Sequence, residues 1–166
     1  MEFTIDEMKP SDWPQVSAIF QEGIETGIAT FVRNAPSWDE WNQEHCEDSR
    51  LVVRSGETIL GWVALSPVSS RCVYSGIAEA RLYIGAAYRG QGIGTTLLKE
   101  LIRRSEDAGY YSLQGEIVKE NTPSQELWRK CGFREIGARE RFGQMPDGSW
   151  HDVVLMERRS ISIGID

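Results

Sequence analysis

The stretch from Glu79 to Leu98 constrains this chain more than any other. It reads Glu-Ala-Arg-Leu-Tyr-Ile-Gly-Ala-Ala-Tyr-Arg-Gly-Gln-Gly-Ile-Gly-Thr-Thr-Leu-Leu. Its first half has the composition of a strand, with Leu82, Tyr83 and Ile84 in a roughly alternating pattern. Its second half repeats apolar residues at a spacing of four, Ile93, Leu97 and Leu101, which predicts a helix. Arg89-Gly90-Gln91-Gly92-Ile93-Gly94 joins the two. A strand, a glycine loop and a helix start together make an anion site. Glycines allow close approach of the backbone, and the first-turn N–H groups point outward with the positive end of the helix dipole behind them. No Lys-Ser or Lys-Thr follows the glycines, so this is not a nucleotide P-loop. The dinucleotide fingerprint needs a third glycine at position 95, which is Thr95.

Composition narrows the partners. The 166 residues suit one domain, and 18 basic against 25 acidic side chains leave a net charge of −7. That balance argues against nucleic acid and against an anionic membrane surface. No apolar run approaches the ~18 residues of a membrane span. The opening Met-Glu-Phe-Thr-Ile-Asp-Glu lacks a secretory leader pattern. Cys46, Cys72 and Cys131 are widely separated, with no Cys-x-x-Cys, so neither a metal site nor a redox pair is expected. A cytoplasmic protein without a metal is the expectation.

Taken in order, the chain predicts a strand at 3–8 and a helix capped by Ser11 or Asp12, with Gly23 and Gly27 ending it. Ser37-Trp38-Asp39-Glu40 is a capping box opening a second helix. Strands follow at 51–53 and 58–65 around Ser55-Gly56-Glu57, and 66–76 should be a loop. The central strand, glycine loop and helix come next, and Gly109 terminates that helix. Then come a strand at 111–118, a helix opened by a second capping box at Thr122-Pro123-Ser124-Gln125, and strands at 134–145 and 150–156 around Pro146-Asp147-Gly148. The domain should occupy residues 1–160, leaving 161–166 as a loose tail. The order is that of a single mixed α/β domain.

Arg89, Gly92 and Gly94 form Arg-x-x-Gly-x-Gly, which resembles the pyrophosphate loop of the GNAT superfamily of acyl-CoA-dependent N-acetyltransferases. Asn121, Ser124, Leu127, Gly132 and Phe133 resemble the superfamily's second signature. Phe20 to Phe31, Ser66 to Arg71 and Gly148 to Val153 are similar to segments of phosphinothricin and methionine sulfoximine acetyltransferases. The resemblance runs from about Ile5 to Arg159 and implies a mixed sheet of about seven strands flanked by about four helices. It implies acetyl-CoA as co-substrate, a small amino-acid analogue as acceptor, and a homodimer. On this resemblance the donor lies along Leu82, Tyr83, Ile84, Arg89, Gly90, Gln91, Gly92, Ile93, Gly94, Thr95 and Asn121. The acceptor lies against Phe31, Arg71 and Glu79.

Acetyl transfer to an amine requires the ammonium to lose a proton. Glu79 is the leading base and His151 an alternative. Parity puts Glu79 on one face with Arg81 and Tyr83, provided no bulge intervenes. Two positions depart from the resemblance. Trp128 stands where many relatives carry a tyrosine acid, and Gln21 where the subfamily usually has asparagine. An indole N–H is no useful acid, so water or Tyr83 must return the proton to the thiolate. Arg71 is the expected carboxylate clamp, since a guanidinium offers two parallel donors. Other amines as acceptor, or an acyl-CoA-binding module without turnover, are the alternatives.

Overall fold

Two runs of strand-forming sequence, one on each side of the glycine loop, come together in one sheet. The computed structural model describes residues 2–166. Its strands are β1 (Thr4–Glu7), β2 (Leu51–Ser55), β3 (Thr58–Pro67), β4 (Ile77–Ile84), β5 (Ser112–Val118), β6 (Arg134–Gln144) and β7 (Trp150–Arg159). Their spatial order is β1-β2-β3-β4-β5-β7-β6, antiparallel throughout except that β4 and β5 run parallel. The helices are α1 (Trp13–Glu25), α2 (Trp38–Glu44), α3 (Ile93–Asp107) and α4 (Thr122–Lys130). The expected single-domain α/β architecture is the one observed.

Each face of the sheet has its own core, as a sheet covered by helices on both sides must. Leu97, Leu98 and Leu101 of α3 and Trp128 of α4 pack with Val63, Leu65, Ala78, Ala80, Leu113 and Met156. On the other face Val16, Ile19 and Phe20 of α1 and Trp41 of α2 pack with Val52, Trp62 and Ala64. Alternation along β4 therefore sends Ala78 and Ala80 to the first core, and Tyr83 to the second.

The helix starts show which local signals hold. Ser37 Oγ accepts the Glu40 N–H, and Glu40 accepts the Ser37 N–H, so the first predicted capping box is real. The second is not. Asn121 is the N-cap of α4 and its amide oxygen accepts the Ser124 N–H, while Gln125 Nε2 donates to the Lys119 carbonyl. The helix starts one residue earlier than the box would have it, and the Gln125 N–H that Thr122 would have capped goes to the Asn121 backbone carbonyl. Gly23 does not end α1 either. A Cβ there would stand 2.6 Å from the Tyr83 ring, so the glycine lets the helix lie on that tyrosine. The tail also finds partners. Arg159 donates to the carbonyls of Ile163 and Gly164, and Ser162 Oγ donates to Glu106.

The parallel seam positions the site. β4 and β5 pair only at Ile77↔Ser112, Ala78↔Leu113 and Glu79↔Gln114. Beyond Glu79 the two strands part. β4 keeps unbroken register with β3, from Gly61↔Ile84 to Pro67↔Ala78, so no bulge disturbs its parity.

Candidate active site

The parting strands open a cleft of about 750 Å³. One wall is β4 from Glu79 to Ile84, and the opposite wall is β5 from Glu116 to Val118. The glycine loop closes one end, and the segment from Thr26 to Val32 covers the other. Sheet edges rarely stay unpaired in a protein's interior, because N–H and C=O groups away from water need partners. An extended ligand arm laid along β4 would supply them.

At the glycine end, the N–H groups from Gly90 to Thr95 find no acceptor among the described residues. The two signature glycines are needed for different reasons. Gly92 sits at φ +80° with open space around it, so the left-handed backbone is what excludes other residues. Gly94 is a packing position, since a Cβ there would meet Leu127 of α4 at 2.7 Å. The open N–H groups stand at the positive end of a 15-residue helix, which suits a pyrophosphate. Arg89 lines this end, its Nε held by the Ile84 carbonyl at 3.2 Å. Gly90, Ile93, Thr95 and Asn121 line the cleft as expected. Gln91 does not: its amide turns to the Ala87 carbonyl.

At the other end, Glu79 and Phe31 line the cleft. Phe31 lies flat on Gly143 of β6, where a Cβ would come within 2.4 Å of its ring. The Glu79 side chain is 23% exposed and makes no hydrogen bond among the described residues. Burial pushes its carboxyl above the usual range. Arg81 opposes this, Glu116 adds to it and Arg139 opposes it. A carboxylate so raised is a better proton acceptor near neutral pH than a free one.

Tyr83 also lines the cleft, stacked against Phe20 at 4.9 Å and Trp62 at 5.0 Å. Burial raises its phenol above the ordinary value, more than the nearby Thr30 hydroxyl lowers it. A thiol with a pKa near ~8.5 is then the stronger acid, and proton transfer from Tyr83 to a thiolate runs uphill. The residue is a platform in this structure rather than an acid. Trp128 is core: it covers Gly115 and meets Phe133 edge-on at 4.7 Å.

Two expected site residues are elsewhere. His151 is outside the cleft lining, with Nδ1 on Glu120 at 2.9 Å and Nε2 on Ser149 Oγ at 2.8 Å. Both ring nitrogens are engaged in the β6–β7 hairpin and its neighbour, which leaves neither for an amine in the cleft. Arg71 is exposed on the loop before β4, also outside the lining, with its backbone N–H on Ser69 Oγ. The cation that does face the cleft beside Glu79 is Arg81, whose Nη2 is 3.8 Å from Glu79 Oε2. Parity along β4 was the available signal for it. Glu116, held by Arg139 at 3.0 Å, is a second cleft residue that sequence reasoning passed over.

The comparisons agree with this geometry. Phosphinothricin N-acetyltransferase of Alcaligenes faecalis is 30% identical over 162 residues, covering 93% of this chain and 81% of that protein. The L-methionine sulfoximine/L-methionine sulfone acetyltransferase of Pseudomonas aeruginosa is 28% identical over 95% of this chain and 94% of its own. A GNAT superfamily phosphinothricin acetyltransferase from Sinorhizobium meliloti, solved in complex with AcCoA, superimposes with a TM-score of 0.86. It is 25% identical, over 96% of this chain and 89% of that one. Residues 13–133, which hold the glycine loop, the parted strands and the Asn121 cap, match the Acetyltransferase (GNAT) family. The chain belongs to the GNAT family of acetyltransferases.

Proposed function

We propose that this protein is an acetyl-CoA-dependent N-acetyltransferase that acts on the α-amino group of a small amino acid or amino-acid analogue. One observation carries the reading. The β4–β5 seam opens at Glu79, so that a single cleft connects free loop N–H groups at one end with a raised carboxylate at the other. The donor, when bound, supplies an activated acetyl thioester. Gly90 to Thr95 hold its pyrophosphate through backbone N–H groups. The open edge of β4 at Leu82, Tyr83 and Ile84 aligns its arm, and a strand N–H there stabilises charge developing on the thioester oxygen. Asn121, with its amide oxygen committed to capping α4, offers its NH₂ to an arm carbonyl.

Glu79 takes the proton from the acceptor ammonium. The freed amine nitrogen forms the new C–N bond to the acetyl carbon as the C–S bond breaks. The nitrogen sheds its second proton to water and the thiolate takes one up from solvent, leaving a neutral amide and a free thiol. No nucleophilic side chain is required, so transfer is direct, and orientation in the cleft supplies several kcal/mol of the barrier reduction. The similarity to enzymes named for phosphinothricin and methionine sulfoximine supports the amino-acid acceptor. A homodimer and a cytoplasmic location complete the proposal. No helix among the described residues is long and apolar enough to cross a membrane.

Thiol release from acetyl-CoA, measured over a panel of α-amino acids, polyamines, aminoglycosides and peptide N-termini, tests the reading. We expect turnover with methionine sulfoximine, methionine sulfone or phosphinothricin. Turnover confined to polyamines or peptides would reassign the acceptor. No thiol release with any amine would leave an acyl-CoA-binding module.

A further inference from the structure

We propose that Arg81 binds the acceptor's carboxylate, and that Glu79 and Arg81 together form a subsite for an α-amino acid zwitterion on β4. The inference rests on the amino-acid reading above and names the cation that reading requires.

Glu79 and Arg81 stand two residues apart on a strand whose register with β3 has no break, so both project from one face. Both line the cleft. Neither side chain makes a hydrogen bond among the described residues, and the 3.8 Å between Nη2 and Oε2 is too long for one. Arg81 Nε is buried with no hydrogen-bond partner among the described residues. The side chain is otherwise 33% exposed, so Nε–H is the donor of the fork kept from water, and leaving it unmet is unfavourable. The neighbouring charges do not relieve it. Glu116 is held by Arg139 at 3.0 Å, and Arg89 serves the glycine end.

The chemistry of the missing partner follows. It carries an anion for Arg81 and a cation for Glu79, a short distance apart. In an α-amino acid the ammonium nitrogen and the carboxylate carbon share one carbon atom. That spacing lets one molecule bridge a carboxylate and a guanidinium that nearly touch each other. The carboxylate on the fork fixes the Cα, which leaves the amine beside its base. Acceptors whose carboxylate is several bonds farther away, such as γ-amino acids, cannot satisfy both groups at once. Arg71 is exposed on the loop before β4 and is not among the residues that line the cleft.

The test compares two acceptors that differ only at the carboxylate: L-methionine sulfone and its carboxamide. For the wild type, kcat/KM should favour the acid. In Arg81→Gln the acid-to-amide ratio should fall roughly 10- to 100-fold, through the acceptor KM and not the acetyl-CoA KM. Arg81→Lys keeps the charge without the fork and should fall between the two. Arg71→Gln should leave the ratio at its wild-type value. A folded Arg81→Gln with an unchanged ratio overturns the assignment while amino-acid turnover by the wild type still stands. A wild type that acetylates no α-amino acid overturns the underlying reading and the subsite with it. Should Arg81→Gln fail to fold, an unchanged ratio in Arg81→Lys overturns the role of the fork.

Discussion

Glu79 carries the largest load of any single residue in this reading, and its environment makes three measurements move together. Glu79→Gln keeps the shape and removes the proton acceptor, so kcat should fall ~10²-fold or more with acetyl-CoA affinity nearly unchanged. Because burial raises its carboxyl, the acid limb of the wild-type pH–rate profile should lie above the ordinary carboxylate range. Glu116→Gln should move that limb down, since Glu116 now pushes Glu79 up. Stability should move in the opposite sense to activity. A carboxyl raised on folding contributes stability that is fully present below its unfolded pKa and lost as pH rises through the folded value. Charged Glu79 is therefore a cost at neutral pH, and Glu79→Gln should raise Tm there, with little gain in acid. A mutant that is inactive but no more stable at neutral pH would contradict the burial argument. Gly92 gives an independent check at the other end of the cleft. Gly92→Val forces a β-branched residue to φ +80° and should weaken acetyl-CoA binding strongly. Unchanged calorimetric affinity in a folded variant would remove the loop from the donor site. Glu79 and Gly92 were legible in the sequence because each sits in a pattern with fixed spacing. Arg81 stands on Glu79's face by the same parity, whereas Arg71 is the expected clamp because the loop before the central strand lines the acceptor site in the resembling group. The course of residues 66–76, which leaves Arg71 exposed and outside the cleft lining, is not something parity can supply.

At the scale of elements, signals contained within one turn were legible, and signals that depend on a distant partner were not. The capping box at Ser37 needs only four residues, and it formed. The one at Thr122 failed because Asn121 caps the helix one residue earlier, and its backbone carbonyl takes the Gln125 N–H. Gly23 read as a helix end because its reason, the Tyr83 ring, lies on a strand sixty residues further along the chain. α2 shows what its C-terminal end does for stability. His45 there is 5% exposed and stacks on Trp41 at 4.1 Å. Its Nδ1 lies 2.7 Å from the Trp41 carbonyl, which can only accept, so Nδ1 carries the hydrogen. Nε2 is buried without a partner among the described residues. Protonating it would add a charge away from water with Arg81 and Arg50 nearby, and burial first, then these cations, hold its pKa down to about 4. The unfolded chain binds that proton near the ordinary histidine value, so stability rises with pH between the two. Urea midpoints for the wild type should therefore drop as pH falls from the ordinary histidine range toward 4. His45→Phe should flatten that drop. An equal slope in the variant would place the acid sensitivity elsewhere.

For the whole molecule, the decisive feature is how little sheet joins its two halves. β1 to β4 form one antiparallel run, β5 to β7 another, and three register pairs hold them edge to edge. The succession of strands and helices along the chain was legible from hydrophobic patterning and turn signals, while their spatial order was not. The parting of β4 from β5 was not, because both strands read as ordinary apolar strands and nothing local marks where a ladder stops. Yet that parting makes the cleft. A ligand laid along it would bridge the halves, contacting β4 beyond Glu79, the N-terminus of α3 and Asn121 before α4. Binding to the native state alone stabilises by mass action, by about 2.7 kcal/mol at a hundredfold excess over Kd. The stabilisation should be local in its origin. On adding acetyl-CoA, hydrogen exchange should slow first at the amides of 90–95, which have no acceptor among the described residues, and at those amides of β4 beyond Glu79 that point away from β3, and extend to the short β4–β5 ladder it reinforces. Amides of β1 and β2, on the far side of the sheet order, should change only through global unfolding. A second hollow, lined by Glu7, Asp48, Arg50, Arg103 and Arg104, is the natural control. It mixes acids with bases and lacks the glycine loop and helix N-terminus that mark the cleft. Protection centred there, with the glycine loop unchanged, would move the donor site to the opposite end of α3 and refute the cleft as the place where the two substrates meet.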